Sequence, residues 1–212
     1  TSNILLNVKF CGYICIQIIV LLIWSCHSGT YHGSLRLNHF AHSLQSKVDQ
    51  LRAGESYIGH ISAARIAELT GSGQLIPTTD MTRLAEADVI IICVPTPLDE
   101  HRAPDLSYVK STAETIARHI RPGTLVVLES TTYPGTTEEV LAPILATSGL
   151  IPGNELFIAF SPEREDPGNP NSRVAHIPKI VGGLTDACRD AAVALYSRAV
   201  DTVVPVSSFR VA

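Results

Sequence analysis

Two uninterrupted apolar runs, "DVIIICV" (88–94) and "TLVVLES" (124–130), flank a stretch of helical periodicity, and this arrangement restricts the fold more than any other feature of the chain. A strand that alternates apolar and polar residues has one wet face. A continuous β-branched run has none, and belongs inside a parallel sheet covered on both sides. Between the two runs, Asp105 opens a helix on which Val109, Ala113, Ile116 and Ile120 share one stripe, and "RPG" stops it. The cycle recurs along the chain. Ser62 caps a helix through Leu69, with Gly71 and Gly73 at its stop, and Asp80 begins another helical turn. Thr136 and Glu139 have capping-box spacing. "LFIAF" and "KIVGG" read as strands on either side of a Pro- and Gly-rich loop over 161–178, and 185–199 reads as a helix before "TVVPV". Strands alternating with helices of this length predict an α/β fold with a doubly wound parallel sheet.

A chain of 212 residues, 45% hydrophobic, can bury one large core, and its net charge of −4 gives no electrostatic reason to expect a nucleic-acid partner. The five cysteines form neither a disulfide framework nor a zinc pattern, which points to a reducing, cytoplasmic setting. His27, His32, His39 and His42 near Cys26 match no ligand spacing, so no metal is expected. Charge divides the chain in two: no Asp or Glu precedes Asp49, and acids are frequent from there on.

In a doubly wound sheet, ligands sit beyond the carboxyl ends of the strands. Three polar loops leave strands there, "VPTPLDE", "STTYPGTT" and "SPEREDPGN". Thr96, Thr131 and Thr132 bring hydroxyls, Glu163 and Glu165 carboxylates, and Arg164 a planar cation for a phosphate or sugar oxygen.

"ADVIIICVPTPLDE", "LESTTYPGTTEE", "AFSPEREDPGN" and "IPKIVGG", in this order and spacing, closely resemble the nucleotide-sugar 6-dehydrogenases, and most of all the UDP-N-acetylglucosamine branch. "LRAGESYIGHI" extends the likeness, which runs from Lys47 to Ala212. The resemblance implies a Rossmann-like NAD-binding domain. It also implies an NAD-dependent, two-step oxidation of a UDP-sugar C6 hydroxymethyl to the carboxylate, with UDP-glucose as the alternative substrate. By the same resemblance Val94, Pro95, Thr96 and Pro97 line the cofactor, while Thr131 and Glu163 stand near the reacting carbon. Arg164 and Glu165 would then lie near the substrate.

Relatives continue into a central helix with a catalytic Lys and Asn, through which they form homodimers, and then into a UDP-binding domain with a nucleophilic Cys. Cys93 and Cys188 match neither the motif nor the setting of that nucleophile, so the chain alone is expected to be inactive.

The resemblance also places the opening stretch. Set against the family's G-x-G-Y-x-G-x-P turn, "FCGYICIQ" retains only Gly12 and Tyr13; Phe10 and Cys15 occupy the other glycine positions, and His42 that of the ribose-binding acid. A side chain at those glycines obstructs the approach of the pyrophosphate. Residues 1–46 are therefore expected to be a divergent hydrophobic segment in place of the first βα unit, with weak NAD binding as the consequence, and 47–212 the remainder of the domain. The competing reading is a noncatalytic nucleotide- or partner-binding domain with a membrane anchor at 10–26.

Overall fold

The computed structural model describes residues 7–11, 36–40, 45–57, 61–98, 100, 102–162 and 177–212, with 7–11 and 36–40 described as backbone. Eight strands form one sheet in the order β3-β2-β1-β4-β5-β6-β7-β8. They are β1 (Asn7–Cys11), β2 (Arg36–Phe40), β3 (Leu75–Thr78), β4 (Val89–Ile92), β5 (Leu125–Leu128), β6 (Phe157–Phe160), β7 (Lys179–Gly183) and β8 (Val203–Pro205). β1 to β6 pair in parallel. The helices are α1 (Gln45–Arg52), α2 (Ala63–Gly71), α3 (Ser107–Ala117), α4 (Ala142–Ala146) and α5 (Asp186–Tyr196).

The apolar runs lie where their composition puts them. Ile90, Ile92, Val126 and Leu128 face α3 and α4. The alternate residues Val89, Ile91, Leu125 and Val127 pack with Val181, Ala192 and Tyr196 on the α5 side. Both faces are dry, which is why β-branched residues run without interruption. The expected stripe of α3 is the buried one: Val109, Ala113 and Ile116 are fully enclosed, and Ile120 packs at the margin of the same cluster.

The caps expected at Ser62 and Asp80 are present and the capping box is not, while α3 and α4 start without a side-chain cap bond. Ser62 caps α2, accepting from Arg65 N at 3.3 Å, and the helix runs two residues past Leu69 before Gly73 turns at φ +70°. Asp80 caps a 3₁₀ helix (Met81–Glu86) by accepting from Thr82 N at 3.0 Å and from the Thr82 hydroxyl at 2.6 Å. Those bonds, the side-chain one first, hold the Asp80 carboxyl below its ordinary 3.8. A depressed folded pKa contributes stability above the unfolded value, and that contribution is lost as the pH falls through the folded one. Asp80→Ala is therefore expected to melt below the parent at pH 7, with the gap closing once the pH is taken below 3.8. A gap unchanged down to pH 2 would show that the cap acts through something other than its charge.

The exception is the capping box. Thr136 is already helical, and its hydroxyl donates to the Tyr133 carbonyl at 2.8 Å. Glu139 is engaged by Arg210 at 2.8 Å. A π-helical turn (Thr137–Leu141) then leads into α4.

β7 departs from the parallel scheme. It runs antiparallel to β6, with Gly182 opposite Phe160, and β8 follows it in parallel. β1 and β2, both drawn from the first 46 residues, lie side by side in the sheet, with β1 next to β4 and β2 next to β3. Among the described residues no helix is long and apolar enough to cross a membrane.

Candidate active site

Connections from β1 lead to β2 and β3 on one side of the sheet, and those from β4 lead to β5 and β6 on the other. The switch point therefore lies between β1 and β4, where Cys11 is level with Ile92, and a crevice at such a point is where open α/β sheets bind dinucleotides. Cys93 to Pro97 leave β4 directly into that crevice. Val94 is buried, Thr96 half-buried, and Pro95 and Pro97 exposed.

β5 ends beside β4, and two hydrogen bonds fasten the exits of the two strands to each other. Val94 N–H donates to Ser130 Oγ at 2.8 Å in the interior, and the Thr96 hydroxyl donates to the Thr131 carbonyl at 2.6 Å nearer the surface. The structure thus brings together Val94, Pro95, Thr96, Pro97 and Thr131, the expected residues that it describes. Gly12, Tyr13, Cys15 and His42 lie outside the described residues, as do Glu163, Arg164 and Glu165. Phe10, placed by the resemblance at the first turn glycine, lies within β1, level with Ile91.

Beside this edge is a cavity of about 160 Å³ bounded by Thr131, Tyr133, Gly135, Phe160 and Arg210. Arg210 anchors the segment that closes it, donating to Glu138 at 3.2 Å and to Glu139 at 2.8 Å. The hydrogen bond to Glu138, followed by the charges of both acids, raises its pKa and keeps the guanidinium ionised.

Beneath the loops, on the α5 side, is a polar layer that sequence reasoning passed over. Cys93, Glu129 and Ser161 follow the last inward residues of β4, β5 and β6, and all three are buried. Lys179 at the start of β7 and Tyr196 from α5 complete it. Lys179 Nζ lies 3.2 Å from Glu129 Oε1 and 5.3 Å from the centre of the Tyr196 ring. The Tyr196 hydroxyl donates to the same carboxylate, and Cys93 Sγ is 3.8 Å from Glu129 Oε2. Among the described residues Ser161 Oγ has no hydrogen-bond partner. A charged residue ending "TLVVLE" and another opening "KIVGG" were the available signal, since charges next to apolar strands are buried only when paired. Cys188 is also buried; its sulfur accepts from Ile158 N at 3.4 Å and from the Thr185 hydroxyl at 3.2 Å. Among the described residues no cluster suits a metal ion.

The sheet order and its edge define a doubly wound domain of the dinucleotide-binding class, and the described switch-point residues suit a nicotinamide cofactor. Val94, Pro95 and Pro97 bring apolar side chains to this edge and Thr96 a hydroxyl, with no cation among the four. Residues 43–200 match the model of the UDP-glucose/GDP-mannose dehydrogenase family, NAD binding domain, and the chain belongs to that family, whose cofactor is NAD.

Among curated relatives it is 36% identical over 153 residues to the UDP-N-acetyl-D-glucosamine 6-dehydrogenase of Pseudomonas aeruginosa, a match covering 72% of this chain and 36% of that protein. It is 36% identical over 132 residues to the UDP-N-acetyl-D-mannosamine dehydrogenase of Pyrococcus horikoshii, covering 62% and 31%. The structure of an NDP-N-acetyl-D-galactosaminuronic acid dehydrogenase from Methanosarcina mazei superposes with a TM-score of 0.84 at 28% identity, over 98% of this chain and 45% of that one. The chain thus spans about a third of the length of these curated relatives and under half of that structure.

Proposed function

We propose that this chain forms the NAD-binding part of an enzyme that oxidises the C6 hydroxymethyl of a UDP-sugar to the carboxylate, with UDP-N-acetylglucosamine as substrate. The observation that carries this reading is the cross-linked pair of loops at the switch point, where Thr96 is bonded to the carbonyl of Thr131. That bond leaves the Thr131 hydroxyl on an exposed residue at the rim of the cavity, beside the cofactor wall. NAD, when bound, accepts a hydride from C6 in each of two oxidations. In this reading Val94 to Pro97 hold one wall of its site. The Thr131 hydroxyl orients the oxygen on C6, and Glu163 holds the water consumed in the second oxidation and takes its proton. Arg164 and Glu165 contact the substrate. The acetamido-sugar preference rests on the 36% identity to the Pseudomonas relative.

NADH formation by the whole enzyme of which this chain forms the NAD-binding part, supplied in turn with UDP-N-acetylglucosamine, UDP-N-acetylmannosamine and UDP-glucose, tests the reading. Two NADH per UDP-N-acetylglucosamine are expected, and Thr131→Val or Glu163→Gln should lower kcat about 10²-fold or more. No NADH from any of the three would refute dehydrogenase function, and a preference for UDP-glucose would refute the acetamido assignment.

A further inference from the structure

The geometry points to the Glu129–Lys179 pair as a positioning device that fixes both active-site loops at once. It rests on the function proposed above for the identity of those loops, but it is read from contacts that need no cofactor. Glu129 is followed directly by Ser130 and Thr131, the two residues that cross-link to the β4 exit. Lys179 ends the connection from β6, the stretch that carries Glu163. Because β7 runs antiparallel with Gly182 opposite Phe160, its first residue lies past the end of β6, at the carboxyl edge. One ion pair therefore joins the point where the first loop begins to the point where the second one ends.

The pair is enclosed: the Glu129 side chain is 0% exposed and that of Lys179 7%. Screening by water and salt is weak there, so the attraction between the two groups is directional and persistent. Tyr196 adds a second donor to the Glu129 carboxylate and holds it from the helix side. The layer is buried under the loops, so its members act by positioning other residues.

Amide hydrogen exchange on the complete chain tests this. Glu129→Gln keeps the shape and removes the charge. It is expected to speed exchange about tenfold or more at the amides of Val94 and Ser161, which donate to Ser130 Oγ and to the Leu128 carbonyl where the two loops begin, while those of β5 and α3 keep their parent rates. Lys179→Arg, which keeps the ion pair, should restore near-parent protection. Tyr196→Phe removes only a hydroxyl, so it remains readable if the charge variants fail to fold, and about a threefold increase at the same amides is expected. Uniform acceleration across the sheet would reduce the pair to general stability and overturn the inference, as would unchanged rates at Val94 and Ser161. Failure of the whole enzyme to form NADH would count against the proposed function, while these exchange rates would still decide the positioning role.

Discussion

Gly183→Ala is expected to lower the stability of the chain by about 3 kcal/mol, the upper end of the usual range for overpacking. A Cβ built on Gly183 would lie 2.3 Å from Arg189 N and 2.7 Å from Arg189 Cα, in the first turns of α5. These are backbone atoms, which cannot rotate aside, so α5 would have to lift from β7 and lose the packing of Ala192 and Tyr196 against Val181. The neighbouring Gly182 is constrained likewise by the Ser208 carbonyl, 2.6 Å from its would-be Cβ. Gly71→Ala serves as the control: the helical Gly71 faces open space, and alanine there should stabilise by up to about 1 kcal/mol. Urea denaturation of the two variants beside the parent measures both, and equal effects would mean that contact with α5 is not what requires glycine at 183.

Lys179→Met is expected to cost about 3–5 kcal/mol, because it strands the Glu129 carboxylate in the interior. The double variant Lys179→Met/Glu129→Leu removes both charges and should recover most of that loss, since a buried pair replaced as a unit by apolar residues is often neutral. Denaturant midpoints of the parent, both single variants and the double variant close the cycle. Simple additivity would mean that the two groups do not act on each other.

The strands and helices were legible because dry faces leave an unambiguous pattern. "VIII" and "LVVL" read as buried strands from their branching alone, and the Val109, Ala113 and Ile116 stripe identified the buried face of α3. The direction of β7 was not written in any periodicity. Its one trace was negative, since 161–178 has no helical pattern and a parallel return requires a crossover. The capping box misled because spacing cannot show that Arg210, remote in sequence, would claim Glu139. Loops at strand ends pointed to Thr96 and Thr131, the resemblance added Val94, Pro95 and Pro97, and the structure bonds these two loops to each other. Glu129, Lys179 and Tyr196 went unnoticed as a group because they come from three separate stretches, and only the reversal of β7 brings the lysine to the acid.

The position of β1 between β2 and β4 has a consequence for the order of assembly. During synthesis, Asn7–Cys11 emerges long before Val89–Ile92, so this interior strand of the finished sheet must wait for one of its two flanking partners. Closing so long a stretch of chain is slow, because the entropy of ordering it is lost before the contacts that offset it are made. The β4 to β6 half, by contrast, is built from successive neighbours and can condense as soon as it is made. Until then the edge of β4 that awaits β1 remains an open template for another strand, and it is at this seam that newly made chains are most exposed to misassembly.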